Sequence, residues 1–228
     1  METLYFGAHL RQLFVNLNIT TVLDVGANAG QYRDFLRHHV GFNGNIVSFE
    51  PIDELVNELT QKSATDQKWQ IYPWALGATH SQAMFNVART TQFSSFLKSE
   101  NSLVPAFEPK NIADRQELVE VRRLDTVFST ILSSHSTGRV FLKMDTQGYD
   151  LEVMKSASGV LDKIAALQTE ISLLPIYVGM PDYLTSLKTL TESGFDVTYM
   201  VPAAQDKHLR VVEFDCVMIN RASINPSD

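Results

Sequence analysis

A chain of 228 residues suits one α/β domain rather than two. With 44% apolar and 20% charged residues it can build a sizeable core, which argues against global disorder. Its net charge of −7 argues against broad binding to a nucleic-acid backbone, which needs clustered Lys and Arg, but leaves room for a small basic pocket.

Cys216 is the only cysteine, so an intramolecular disulfide and a cysteine-based zinc site are excluded. The opening METLYFGAHLRQLF lacks the basic region, apolar run and cleavage site of a secretory leader. No apolar run approaches the roughly 18 residues of a membrane span. The expectation is a cytoplasmic protein with no membrane span and no nucleic-acid partner.

In chain order, Leu10, Leu13, Phe14 and Leu17 share one helical face, which predicts an N-terminal helix within residues 1–20. Thr21–Gly26 reads as a buried strand, and Gly30 to about His39 as a helix. Asn45–Glu50 is the next strand, closed by Pro51, and Asp53 is the expected N-cap of a helix from Glu54 to about Lys62. Trp69–Trp74 is a third strand and Ala83–Val87 a short one. Residues 90–114 carry two prolines and many polar groups and read as a long loop or lid; loops of this length are often functional. Leu118–Arg123 alternates like a strand, and Val140–Met144 follows as another. Asp150 is the expected cap of a helix over Leu151–Ser156. Ile164–Ile171 is a strand, and Tyr183–Ser193 a helix ended by Gly194. Asp196–Val201 and Glu213–Asn220, with no clear helix between them, read as an antiparallel terminal pair, and residues 223–228 as a loose tail. This alternation predicts a Rossmann-like, doubly wound α/β fold over 1–228, built on a seven-stranded, mostly parallel sheet with an antiparallel last strand as a reversed edge, and helices on both faces.

The strongest local signal is Asp24-Val-Gly-Ala-Asn-Ala-Gly30, at the first strand-to-helix turn. Small residues there let a ligand approach the backbone, and the following helix offers N–H groups. Its place predicts a ligand over the carboxyl ends of the strands. The spacing Gly26-x-x-x-Gly30 lacks the middle glycine of a dinucleotide loop, and Asp24 would repel a diphosphate. A sulfonium amino acid carries an ammonium and a positive sulfur, and Asp24 suits it, directly or through water. Glu50 ends the second strand, where an acidic group can accept both ribose hydroxyls through charge-assisted hydrogen bonds.

Asp24–Gly30, Ser48-Phe-Glu-Pro51, Ala75-Leu-Gly77, Ser94-Ser95 and Leu142-Lys-Met-Asp-Thr-Gln-Gly-Tyr149, in this order, resemble the FkbM family of methyltransferases. Glu170–Tyr177 and Gly194-Phe195 fit the same pattern, and the resemblance spans about residues 10–220. It implies a class I methyltransferase fold and methyl transfer from S-adenosyl-L-methionine, usually to a hydroxyl oxygen. It also implies that Asp24, Gly26, Asn28 and Gly30 line the amino-acid end of this cofactor, that Glu50 holds its ribose, and that Trp74 and Ala75 lie by its adenine. Ser94 and Ser95 match the family's serine pair and are grouped with the cofactor-binding residues.

Asp145 follows an apolar strand and is expected to face the same cleft. It can orient an acceptor hydroxyl or take its proton, or instead bind the cofactor ammonium or a divalent metal. Lys143, two residues earlier, points to the same face, as a catalytic partner or in a structural ion pair. Glu170 ends the following strand, and carboxylates at two such strand ends can share a metal ion. No distinctive ligand spacing supports a metal, so none is assigned. The six histidines form no metal pattern; His38 and His39 fit an exposed helix end, His9, His80, His135 and His208 are isolated, and His9 is the one nearest the cleft. Trp69 and Trp74 read as core or pocket wall, and Tyr149 and Tyr177 as acceptor-site or core residues.

The expectation is therefore an S-adenosylmethionine-dependent O-methyltransferase acting on a sugar, glycan or other small metabolite. The acceptor pocket is expected between the N-terminal helix, residues 90–114 and the segment Pro175–Pro181. The competing readings are an NAD-dependent oxidoreductase and a non-catalytic domain that binds S-adenosylmethionine.

Overall fold

The computed structural model describes residues 2–132 and 138–224. His135 and most of the tail, residues 225–228, lie outside the described residues. In chain order the elements are α1 (Glu2–Leu17), β1 (Ile19–Val25), α2 (Gln31–Phe35), β2 (Asn45–Phe49), α3 (Asp53–Ser63), β3 (Trp69–Tyr72), β4 (Ala75–Leu76) and β5 (Ser81–Ala88). There follow α4 (Glu108–Asn111), β6 (Ala113–Arg122), α5 (Leu124–Leu132), β7 (Arg139–Met144), α6 (Asp150–Ser156), β8 (Ile164–Ser172), α7 (Tyr183–Glu192), β9 (Phe195–Gln205) and β10 (Val211–Asn220).

Seven strands form one sheet in the order β3-β2-β1-β7-β8-β10-β9. From β3 to β8 neighbouring strands are parallel; β10 runs antiparallel to both β8 and β9. The last strand of the chain is thus the antiparallel one, as expected, and it sits one place in from the edge, which β9 occupies. The order turns around between β1 and β7, which leaves a crevice at their carboxyl ends.

The central strands are apolar because both their faces are covered. On one face Leu10, Leu13, Phe14 and Leu17 of α1 pack with Val22, Phe141 and Val217. On the other, Leu124, Phe128 and Ile131 of α5 and Val153 and Met154 of α6 pack with Leu23, Leu142 and Leu167. The four-residue stripe read from the sequence of α1 is buried as expected.

Several local expectations change. The helix after the glycine loop holds α geometry only to Phe35 and widens to π geometry over Leu36–Val40 before Gly41, at φ 74°. Asp53 is the first helical residue of α3 rather than its cap; Ile52 holds that place. Asp150 does not cap α6 either. Its carboxylate accepts from Thr146 N at 2.9 Å, from the Thr146 hydroxyl, from Thr169 Oγ1 at 2.5 Å and from Glu170 N at 3.3 Å, so it ties β7 to β8. Residues 90–114 are largely irregular, interrupted by two 3-10 turns and α4, and run into the start of β6. A second sheet, β4-β6-β5, packs on Ile52 and Leu55. Among the described residues, no helix is long and apolar enough to cross a membrane.

Candidate active site

A cavity of about 530 Å³ opens over the carboxyl ends of β1, β2, β7 and β8. Gly26, Asn28 and Glu50 form one wall, and Trp74, Ala75 and Phe85 the next. Lys143, Asp145, Gln168 and Glu170 line the far side together with Asp215 of β10. Thr91, Gln92, Ser94 and Phe96 reach over it from the segment after β5, and Phe6 from α1.

The glycine loop owes its shape to the neighbouring strands. Gly26 sits at φ 78°, and a Cβ there would lie 2.1 Å from the carbonyl oxygen of Asp145. Its N–H and that of Ala27 donate to Phe49 O at 3.0 and 3.1 Å. Gly30, at φ 88°, lies against the Trp69 ring, which a Cβ would meet at 2.9 Å. Asn28 takes φ 47°, and its N–H donates to Glu50 Oε2 at 2.8 Å. The other Glu50 oxygen accepts from Ile52 N at 2.9 Å. Glu50 is thus fixed by the loop it faces. Burial pushes its carboxyl up to about 7, against the pull of the two backbone donors.

Asp24 lies behind this wall rather than in it. It is fully buried; its Oδ2 accepts from Ser48 Oγ at 3.1 Å, and Ser48 Oγ accepts from the Trp69 indole N–H at 2.9 Å. Lys143 Nζ stands 3.1 Å from Asp24 Oδ1 and is that oxygen's counter-charge. The same ammonium lies 3.4 Å from Asp145 Oδ2 and donates to Gly26 O at 3.3 Å. Burial opposes its charge, but the carboxylates of Asp24 and Asp145 outweigh burial and hold its pKa above the ordinary lysine value. Lys143 is therefore a protonated bridge between β1 and β7.

Of the residues singled out in the sequence, Gly26, Asn28, Glu50, Trp74, Ala75, Ser94, Lys143 and Asp145 meet at one cavity. Asp24, Gly30 and Ser95 are outside its lining. Ser94 Oγ accepts from Ala88 N at 3.1 Å, and Ser95 Oγ donates to Gln147 O at 2.8 Å while accepting from Leu97 N. Both hydroxyls thus fasten the segment that covers the cavity. Trp74 stacks on Tyr72 with ring centroids 4.6 Å apart, and Arg122 lies 3.6 Å over its ring. Trp69 is core.

None of residues 175–181 lines the cavity, whereas Val201, Pro202 and Ala203 of β9 do. His9 is also off the wall, stacked on Tyr199 and 3.1 Å from Thr198 Oγ1. His38, His39, His80 and His208 are exposed. Reading the sequence missed Tyr32, Gln147, Gln168 and Asp215. The Tyr32 hydroxyl donates to Gln168 Oε1 at 2.7 Å, and Gln168 Nε2 donates to Asp215 Oδ1 at 2.9 Å. Period-2 spacing on β8 and β10 was the available signal for the last two, since Gln168 and Glu170, and Glu213 and Asp215, share faces. Among the described residues no three His, Cys, Asp or Glu side chains converge as metal ligands.

The Methyltransferase FkbM domain family matches residues 24–197. The chain belongs to the FkbM methyltransferase family. The crystal structure of an FkbM methyltransferase from Methylobacillus flagellatus KT has a similar fold, with a TM-score of 0.54 and 15% identity, over 88% of this chain and 43% of that one. This FkbM-family chain thus spans less than half the length of that relative. Magnesium protoporphyrin IX methyltransferase from Synechocystis PCC 6803, with bound SAM, aligns at a TM-score of 0.48 and 10% identity, over 95% of this chain and 79% of that one. Fibrillarin from Aeropyrum pernix, in complex with natively bound S-adenosyl-L-methionine, aligns at 0.48 and 10%, over 88% and 66%. Comparison with curated proteins gave no sequence match. The class I methyltransferase fold expected from the sequence is the fold observed.

Proposed function

We propose that this FkbM-family chain transfers a methyl group from S-adenosyl-L-methionine to a hydroxyl oxygen of a sugar, glycan or other small metabolite. The observation that carries this reading is Glu50, pinned by Asn28 N and Ile52 N at the end of β2, in the cavity that also holds Asp145. Each Glu50 oxygen retains a lone pair for a ribose hydroxyl. The donor set suits a cationic ligand, since Glu50, Asp145, Glu170 and Asp215 face the cavity against one ammonium, that of Lys143.

Bound there, S-adenosyl-L-methionine supplies an electrophilic methyl group on a positive sulfur. Glu50 holds the ribose, and the backbone of Gly26–Asn28 borders the amino-acid end. Trp74 and Ala75 provide an apolar wall for the adenine. Lys143 keeps Asp145 in place and stays protonated, so it is a positioning residue rather than a base. Asp145, partly exposed and 3.4 Å from Lys143, accepts the proton of the acceptor hydroxyl at its carboxylate. Asp24, behind the wall, anchors Lys143, while Ser94 and Ser95 hold the covering segment. Alignment of the reactants then contributes most of the rate, because opposite charges are consumed and little new charge needs stabilising.

Calorimetry with S-adenosylhomocysteine and with NAD tests the donor. The expected result is binding of the nucleoside thioether and none of NAD; the reverse would reinstate an oxidoreductase. A chain that binds the thioether but turns over no member of a broad acceptor panel would point to the non-catalytic alternative.

A further inference from the structure

One buried side chain joins the far wall of the cavity to the segment that covers it. Gln147 takes φ 54°, a backbone region that L-residues other than Asn, Asp and His seldom enter, and its side chain is buried. Its Nε2 donates to Asp145 Oδ1 at 3.0 Å and to Glu170 Oε2 at 2.8 Å. Its Oε1 lies 2.9 Å from the Tyr177 hydroxyl, which is also 2.8 Å from Phe93 O. Its carbonyl accepts from Ser95 Oγ at 2.8 Å.

The two carboxylates dictate which way the amide points. Only the NH₂ end can donate to both, so the oxygen must face Tyr177. We propose that Gln147 is the positioning residue of the acceptor half of the site, an amide clip that sets the separation of Asp145 and Glu170 and registers them to the covering segment 93–97 through Tyr177 and Ser95. The proposal rests on the methyl-transfer reading for what Asp145 does, but the clip itself is a property of this chain. A direct contact between the two carboxyl groups would let them share one proton and draw Asp145 away from an acceptor. The clip prevents this by giving each carboxylate its own donor.

Glu170 reports on the clip without an acceptor. Burial pushes its carboxyl well above the usual carboxylate range, and Asp145, Glu213, Asp215 and Asp150 push it the same way. Lys143, which also attracts Glu170, is engaged more closely by Asp24 and Asp145. The Gln147 N–H favours the charged form, so its withdrawal moves Glu170 further up.

The test compares the wild-type chain with Gln147→Asn and Tyr177→Phe. Asn tolerates the positive φ at least as well as Gln, but its amide is one methylene too short to span the carboxylates. Three readouts are taken: thermal midpoint, affinity for S-adenosylhomocysteine, and the Glu170 titration by carbon NMR of the carboxyl groups. The expected result for Gln147→Asn is a lowered thermal midpoint with a single cooperative transition retained, because buried partners lose their donor, together with thioether affinity within about threefold and an upward shift of the Glu170 midpoint. Tyr177→Phe should move Glu170 the same way by less, because the amide remains but is free to turn. An unchanged Glu170 midpoint in both variants overturns the clip. Wild-type protein that ignores the thioether overturns the donor reading instead, and with it the role assigned to the clip in catalysis.

Discussion

Replacing Lys143 by Met isolates the electrostatics beneath the site. Asp24 is fully buried, and apart from one Ser48 hydroxyl the Lys143 ammonium is its compensation. At 3.1 Å and an effective dielectric constant of ~20, the attraction is about 5 kcal/mol. Desolvation of both groups offsets much of this while the pair is intact. Once the ammonium is gone, the carboxylate keeps its desolvation cost and loses its attraction. The contact with Asp145 adds less, because that side chain is 35% exposed and solvent screens it. The expected loss for Lys143→Met is about 3–5 kcal/mol, as for other buried pairs broken from one side. It is read from urea unfolding at pH 7, with a fall in the thermal midpoint of roughly 10 °C. The double variant Asp24→Asn/Lys143→Met removes the orphaned charge and should recover most of that loss. A single variant that loses under about 1 kcal/mol, or a double variant no better than the single, would refute the assignment of Lys143 as the counter-charge of Asp24.

Glu50→Gln should weaken S-adenosylhomocysteine binding by roughly 30-fold, the equivalent of one charge-assisted hydrogen bond at about 2 kcal/mol, in calorimetry at pH 8. Wild-type affinity should rise between pH 6 and 8 as the carboxyl, held at about 7, ionises, and the Gln variant should lose this dependence. The ligand-free protein should behave in the opposite sense. A carboxyl raised from 4.5 to about 7 contributes stability that is full below pH 4.5 and lost as pH rises through 7, and Glu213, also raised to about 7 by burial, adds to the slope. Gly26→Ala forces a Cβ to 2.1 Å from the Asp145 carbonyl at positive φ, and should cost roughly 2–4 kcal/mol or abolish thioether binding, checked by thermal unfolding with and without ligand. Asp145→Asn should keep thioether affinity within about threefold and lose roughly 10²-fold or more in turnover; unchanged turnover would remove it from catalysis.

The strands of the main sheet were legible because each carries its signal locally. Thr21–Gly26 and Val140–Met144 are short apolar runs bounded by polar or turn residues, and their burial follows from coverage on both faces. The helix α5 was not anticipated: Leu124–Leu132 is short and rich in Thr, Val and Ile, so its own preference for helix is weak. It forms because Leu124, Phe128 and Ile131 cover the sheet. The small sheet is legible only as separate strands, since β5 pairs with β6 across the irregular segment 89–112. Asp150 misled as a cap because its sequence position before a helix is the same whether it bonds to that helix or to Thr169 across the sheet.

From the order of its residues alone, this chain specified a parallel α/β sheet, a glycine turn after the first strand and an acid after the second. These follow from period, turn chemistry and residue size, all of which act over a few neighbours. Only the tertiary structure decided that Asp24 is sealed behind the wall with Lys143, that Val201, Pro202 and Ala203 of β9 line the cavity, and that Gln147 spans two carboxylates. Those arrangements depend on which strand ends meet at the turnaround of the sheet. That is settled by packing between residues far apart in the chain, where no local pattern carries the information.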